Sequence, residues 1–72
     1  MPISSSQLSV LLVRIRMEYV EMPDLALTGR QAHRMWNVDP DLCATALATL
    51  VHEDFLRKTK DGAFLRRASG TI

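Results

Sequence analysis

The first predicted helix of the chain carries apolar side chains on two opposite faces, and this feature constrains the fold more than any other. Serines at 4–6 are N-cap candidates, and the helix, of about 15 residues, should end near Met22 because Pro23 disfavours helical backbone in the residue before it. Spacings of three and four residues define the face that should point toward the core. Its members are Leu8, Leu11, Leu12, Ile15, Tyr19 and Met22.

A second apolar stripe lies on nearly the opposite face of the same helix and consists of Val10, Val13, Met17 and Val20. A helix that is apolar on two sides is normally buried on two sides. A chain of 72 residues has little material to cover both faces. We therefore predict that the second stripe is an interface, in a homodimer or with another protein. The alternative is a row of partly exposed apolar side chains, which is common on protein surfaces.

Size and composition set the class of protein. Seventy-two residues make one domain, predicted to span 1–72 with frayed ends at about 1–4 and 68–72. An apolar content of 47% indicates a folded chain, and the single cysteine, Cys43, excludes an internal disulfide and a multi-cysteine zinc site. No segment is typical of a signal peptide or a membrane span, so we expect a soluble, cytoplasmic protein without a membrane partner.

The net charge of +1 conceals a segregation along the chain. Residues 1–34 carry four arginines against three acids (+1), residues 35–56 carry four acids and no Lys or Arg (−4), and residues 57–72 carry five bases against one acid (+4). Such an asymmetry bears on binding partners rather than on fold.

A second helix is predicted from Gly29 to about Trp36, after a very short strand at 25–27. Thr28 and Gln31 have the spacing of a capping box. The inward side chains should be Ala32, Met35 and Trp36, of which Trp36 is interpreted as core rather than as a platform for base stacking. The outward ones should be Arg30, His33, Arg34 and Asn37.

A third helix should run from Pro40 to about Glu53, since Asp39 is a good N-cap and proline is tolerated at the first helical position. Its predicted inward stripe is Cys43, Ala44, Leu47, Leu50 and Val51. Two strand-like runs at 55–59 and 63–67 follow. Asp61-Gly62 between them indicates a hairpin with a tight primed turn.

The order helix, short strand, helix, turn, helix, hairpin resembles that of the winged helix-turn-helix domains of small regulators, over positions 8–67. This fold is mainly α with a small β-hairpin (α-β-α-α-β-β). The residues that carry the resemblance are Leu27-Thr28, Gln31-Ala32, Val38, Leu47, Leu50, Phe55-Leu56 and Asp61-Gly62. One departure is at the end of the third helix, where Asp54 must adopt the left-handed conformation that glycine often takes in this family.

The resemblance implies binding to double-stranded DNA, with the third helix in the major groove and the wing against the backbone. The positions it assigns to nucleic-acid binding are Arg30, Arg34, Asn37, Thr45, Thr49, Arg57, Lys58, Lys60, Arg66 and Arg67.

The third helix fits this role poorly. Its outward side chains include no Arg, Lys, Asn or Gln, which make the bidentate base contacts, and Asp41 would meet the negative field of the groove. The basic hairpin is also consistent with a solvated sheet edge that discourages aggregation, and Arg30 and Arg34 with an ordinary solvated helix face. The alternative function is therefore a winged-helix module for protein interaction or dimerisation without specific DNA binding.

Catalytic and metal-binding signals are weak. The soft ligands His33, His52 and Cys43 fall on different helix faces, and the glycines form no phosphate-binding loop. We expect no catalytic residues, no metal, no cofactor and no small-molecule ligand, and hence a protein that is not an enzyme.

Overall fold

A computed structural model describes residues 5–67, which form three helices and a three-stranded antiparallel sheet. The predicted frayed ends, at about 1–4 and 68–72, lie outside the described residues. In chain order the elements are α1 (Ser5–Glu21), β1 (Ala26–Thr28), α2 (Gly29–Met35), α3 (Pro40–His52), β2 (Leu56–Lys58) and β3 (Ala63–Arg66). The predicted order of elements is confirmed, with the first strand shifted by one residue.

The start of each of the last two helices is set by local chemistry. Thr28 Oγ1 accepts from the Gln31 N–H at 3.1 Å, and the Gln31 side-chain oxygen accepts from the Thr28 N–H at 3.0 Å. This is the predicted capping box. At α3, Asp39 Oδ2 accepts from the N–H groups of Asp41 and Leu42 at 2.9 and 3.1 Å. The free amide groups of each first turn are thus partly satisfied by side chains.

Helices α2 and α3 end in the same way, on a non-glycine residue with positive φ. Asn37 (φ 54°) follows α2 and Asp54 (φ 65°) follows α3. After α3 the N–H groups of Asp54 and Phe55 donate to the carbonyls of Val51 and Leu50. This is a Schellman motif, which satisfies the last carbonyls of a helix. The left-handed conformation predicted for Asp54 is confirmed.

The strand order is β1-β3-β2, so β3 is central and pairs antiparallel with both neighbours. Thr28 lies opposite Ala63, at the end of the sheet that carries the hairpin turn. The start of α2, which directly follows Thr28, is therefore brought to the same end of the sheet as that turn. Leu56 lies opposite Arg66 at the other end.

The hairpin turn differs from the prediction. A primed two-residue turn needs positive φ at both central residues, but in this turn only Gly62 has it (φ 87°). The Gly62 N–H donates to the Thr59 carbonyl, and the Thr59 N–H donates across the turn to Ala63. Lys60, Asp61 and Gly62 thus form a three-residue loop, in which the left-handed glycine lets the strands rejoin.

The core is built from one face of α1, the inner faces of α2 and α3, and one face of the sheet. Its buried side chains are Leu11, Ile15, Tyr19, Ala32, Trp36, Cys43, Ala46, Leu47, Leu50 and Leu56. Trp36 is 3% exposed, which confirms its interpretation as a core residue. Partly buried residues at its margin include Leu8, Leu12 and Val51.

Three predicted core positions, Met22, Met35 and Ala44, were wrong. Met22 is half exposed because it follows the last residue of α1 and no longer continues its face. Met35 is 51% exposed because the buried side of α2 is rotated toward Gly29 and His33, which are half-buried. The outward placement of His33 was accordingly also wrong.

In α3 the buried stripe centres on residues 46, 47 and 50, and Ala46 takes the place predicted for Ala44, which is exposed. Alanine carries too little apolar surface to reveal from sequence alone which of the two positions faces inward.

Candidate nucleic-acid interface

The outer face of α2 presents two basic side chains one helical turn apart. Arg30 and Arg34 are both exposed, and neither makes an ion pair within residues 5–67. Asn37 is exposed just beyond the helix end. These three side chains are available to an anionic ligand, and Arg30 lies only two residues from Thr28, at the hairpin-turn end of the sheet.

Alternation along the strands divides the hairpin bases between the two faces of the sheet. Arg57 lies opposite Leu65 and points to the face away from the core, since its neighbour Leu56 is fully buried. Lys58 and Arg66 lie opposite Phe64 and Leu56, so both stand on the core side at the margin of the sheet. The five bases predicted on the hairpin therefore do not form one continuous face.

Two of these bases rest on aromatic rings. The Lys58 Nζ lies 5.6 Å from the centre of the Phe64 ring, and the Arg66 guanidinium lies 4.9 Å from that of Phe55. Both distances are in the range of a cation–π contact. Lys58 stays exposed and Arg66 is half-buried, so Lys58 is the more accessible to a ligand.

Of the two remaining bases, Lys60 is exposed in the hairpin turn and Arg67 is engaged with an acid. Its Nη1 donates to Asp54 Oδ1 at 3.2 Å, at the end of the sheet opposite the turn. Next to it, Glu53 accepts from Arg16 of α1, whose guanidinium also lies 5.9 Å from the Phe55 ring. Both ion pairs are at the surface, where each stabilises by about 0–1 kcal/mol, but they balance charge locally.

These two ion pairs neutralise part of the negative charge of the acidic segment at 35–56. Of its four acids, Glu53 and Asp54 are matched by arginines from α1 and the end of the hairpin, and Asp39 caps α3. Asp41 alone remains as an acid on the outward side of α3 without a cationic partner among the described residues. The helix expected to enter the groove is thus less acidic than its sequence indicates.

The outward side chains of α3 offer little for reading bases. Thr45 is exposed and Thr49 half-buried, and their hydroxyls donate to the carbonyls of Asp41 and Thr45 within the helix. Their hydroxyl protons are therefore already used, and the methyl groups and the oxygen lone pairs remain. This surface can therefore contact thymine methyl groups and accept single hydrogen bonds from base amino groups, but it cannot make bidentate contacts.

The groups with soft ligand atoms are dispersed. Cys43 is buried, and desolvation raises the pKa of its thiol, which makes it a poor nucleophile. Within residues 5–67 no cluster of three His, Cys, Asp or Glu side chains is placed to hold a metal ion. No helix in the same range is long and apolar enough to cross a membrane.

The second stripe of α1 is exposed over its whole length. Val10, Val13, Met17 and Val20 are 70%, 59%, 54% and 53% exposed, respectively. At its N-terminal end the stripe borders an apolar groove of about 360 Å³ that Val10 shares with Val38 and Leu42. Within the described residues nothing covers this face, as the sequence pattern anticipated.

The pairing of Arg16 with Glu53, and the approach of Arg16 and Arg66 to the Phe55 ring, had no signal in the sequence. Arg16 and Glu53 are 37 positions apart, and only the packing of α1 against α3 brings them together.

Comparisons of the chain with protein-family models, with curated proteins and with solved structures found no match.

Proposed function

We propose that the protein is a small winged-helix DNA-binding protein, a transcription regulator that grips the DNA backbone through its hairpin wing and α2, with weak base readout. The order α-β-α-α-β-β and the sheet order β1-β3-β2 support the fold part of this proposal. The single observation that carries the functional part is the register of β1 on β3. It brings the start of α2, with Arg30, to the end of the sheet where the hairpin turn carries Lys60.

The bases that this interface uses are exposed and free of acidic partners within residues 5–67. They are Arg30, Arg34, Arg57, Lys58 and Lys60. Side chains of this kind contact phosphate oxygens and fix the position of a protein on the duplex without reading sequence. Arg67 contributes less because Asp54 already holds it.

Affinity from such contacts depends steeply on salt, because each phosphate contact releases a condensed counterion. Five contacts are the upper limit, since Arg57 and Lys58 stand on opposite faces of the hairpin. They predict a slope of at most about −4.5 in a plot of log K against log salt, which is a loss of up to about 500-fold between 50 and 200 mM. Binding to unrelated duplexes should differ little, since base contacts are few.

The test is a gel-shift titration of short duplexes at low salt with micromolar protein. Arg57→Glu combined with Lys60→Glu should abolish the retardation, whereas Arg67→Gln should leave it nearly unchanged. Circular dichroism shows whether each variant is folded. Failure of the unmodified protein to shift any duplex at low salt would overturn the proposal, and so would an undiminished shift by the folded double variant.

A second candidate function is a protein-interaction or dimerisation module. It is favoured by the exposed second stripe of α1, called the outer stripe below, which consists of Val10, Val13, Met17 and Val20. The uncharged part of the outward face of α3, around Thr45 and Ala48, offers a further surface for such contacts. Sedimentation of the purified chain tests this candidate, because Val13→Glu or Met17→Glu should reduce the sedimenting mass if α1 forms the interface. The two functions are compatible, since dimeric regulators combine both.

A further inference from the structure

The outer stripe of α1 has two edges that differ in charge. Arg14 and Glu21 lie along one edge, seven residues or about 10.5 Å apart at 1.5 Å per residue. Both are exposed, and neither is ion-paired within residues 5–67. Ser9 and Arg16 lie along the other edge, where Arg16 already pairs with Glu53.

We infer that the outer stripe of α1 packs against the same stripe of a second copy in antiparallel orientation, with Arg14 of each copy paired to the partner's Glu21. In antiparallel helix pairing, like edges of the two stripes face each other, so an edge that carries one Arg and one Glu is complementary to itself. In antiparallel pairing the other edge brings Arg16 near the partner's Arg16, but each of these arginines is already paired with Glu53 of its own copy. In parallel pairing Arg14 would face Ser9, and Glu21 would face an Arg16 that Glu53 already holds. The charges of Arg14 and Glu21, which have no ion pair within residues 5–67, therefore favour the antiparallel arrangement.

The alignment that pairs Arg14 with the partner's Glu21, called the register below, also brings the apolar side chains of the two stripes together. The midpoint between Arg14 and Glu21 falls between Met17 and the next residue, so the two-fold axis passes beside Met17. Val13 and Val20 lie four and three residues from Met17, and each therefore comes near the partner's Val20 and Val13. A two-fold interface needs a patch of this kind, in which one surface is complementary to itself.

Val10 extends the contact beyond this centre. In the inferred register it lies opposite the turn that follows the partner's α1, next to the apolar groove lined by Val38 and Leu42. The dimer thus removes the largest exposed apolar side chains of α1 from water, which is the main source of favourable free energy in association.

This inference rests on the second candidate function, the use of α1 as an interface, and does not depend on DNA binding. Sedimentation equilibrium of the full chain should show a dimer, and Met17→Glu should convert it to a monomer. Arg14→Glu and Glu21→Arg alone should each raise the dimer dissociation constant about tenfold, because each replaces two attractive contacts by repulsive ones.

Mixing the two single variants, Arg14→Glu and Glu21→Arg, is the sharpest test of register. In the mixed dimer each facing pair of positions 14 and 21 again joins one acid and one base, so the heterodimer should regain an affinity within about threefold of the original. The double variant with both charges exchanged should recover likewise. Glu18→Gln, which changes a charge outside the stripe, serves as the control and should leave the dissociation constant unchanged.

The outcomes separate the inference from the function on which it rests. A chain that stays monomeric at millimolar concentration, or a dimer that survives Met17→Glu, overturns both the α1 interface and its register. A dimer that Met17→Glu disrupts, but that the single charge reversals leave intact, overturns the antiparallel register alone. Unchanged far-ultraviolet circular dichroism in each variant excludes unfolding as the cause.

Discussion

The hydroxyl of Tyr19 in α1 donates a 2.7 Å hydrogen bond to the backbone carbonyl of Phe64 in the central strand. Tyr19 is fully buried, so its ring packs in the core while its hydroxyl ties the first helix to the sheet. The two residues are 45 positions apart, and the bond links the beginning of the described chain to its end.

Replacing Tyr19 by phenylalanine should destabilise the protein while preserving its packing. The change removes one hydrogen bond and leaves the Phe64 carbonyl with one fewer donor, which costs about 1 kcal/mol of unfolding free energy. Urea denaturation measures the difference. Tyr19→Leu should cost more, since it also opens a cavity. A Tyr19→Phe variant as stable as the parent would show that the bond contributes nothing net.

Stability should also fall at high pH through the same side chain. Burial, and to a lesser extent the charge of Cys43, raise the pKa of Tyr19 from 10.0 to about 12. A phenol with a raised pKa in the folded state stabilises the fold fully below its unfolded value near 10. That contribution is lost as the pH rises from about 10 through 12. Denaturation curves of Tyr19→Phe should lack this part of the decline, and a parallel decline in both proteins would contradict the assignment.

Asp54→Gly should stabilise the end of α3. Asp54 occupies the left-handed region at φ 65°, where a side chain costs about 1 kcal/mol that glycine avoids. The variant also loses the surface ion pair with Arg67, but such an exposed pair stabilises the fold by less than the backbone cost that is relieved. We expect a net gain of up to about 1 kcal/mol in thermal or urea unfolding. Arg67→Gln removes the ion pair without changing the backbone and is the matched control.

Loss of the Thr28 side chain should weaken the start of α2. Thr28→Ala removes the acceptor for the Gln31 N–H and should cost about 1 kcal/mol in urea unfolding. Thr28→Ser keeps the hydroxyl and should remain close to the parent. Equal losses in the two variants would indicate that the methyl group, rather than the cap, is what matters.

Asp41→Asn should strengthen DNA binding if α3 enters the major groove, as the resemblance to winged-helix domains implies. Asp41 is the acid of α3 that neither caps the helix nor has a cationic partner within the described residues. Its removal should raise the affinity several-fold at low salt, because the potential facing the phosphates becomes less negative. Asp24→Asn, in the turn after α1, is the matched control. Equal gains from the two variants in gel-shift titrations would indicate an effect of net charge alone.

Much of the fold could be predicted because its signals are local. Pro23 ends α1, the Thr28 and Gln31 side chains start α2, and Asp39-Pro40 starts α3, each through contacts within a few residues. The exposure of the outer stripe of α1 also followed from spacing, together with the short length of the chain. These features depend on backbone preferences and hydrogen bonds that a short segment satisfies by itself.

The rotation of each helix against the core could not be predicted in the same way. Ala44 and Ala46, or Met35 and His33, differ in burial because of the surface that α2 and α3 meet, and apolar spacing alone does not fix that angle. The hairpin loop was also misjudged, since Asp61-Gly62 suits both a two-residue and a three-residue loop and the strand register decides between them.

For the candidate site, the sequence by itself determined which side chains are charged, where the helices begin and end, and that residues 5–67 leave one apolar face of α1 uncovered. The tertiary structure alone decided that Asp54 and Glu53 pair with Arg67 and Arg16, and that the start of α2 lies beside the hairpin turn. The physical reason is the distance along the chain between the residues that interact. Caps and helix ends depend on contacts within a few residues, whereas ion pairs and strand order join residues that only the packed core brings together.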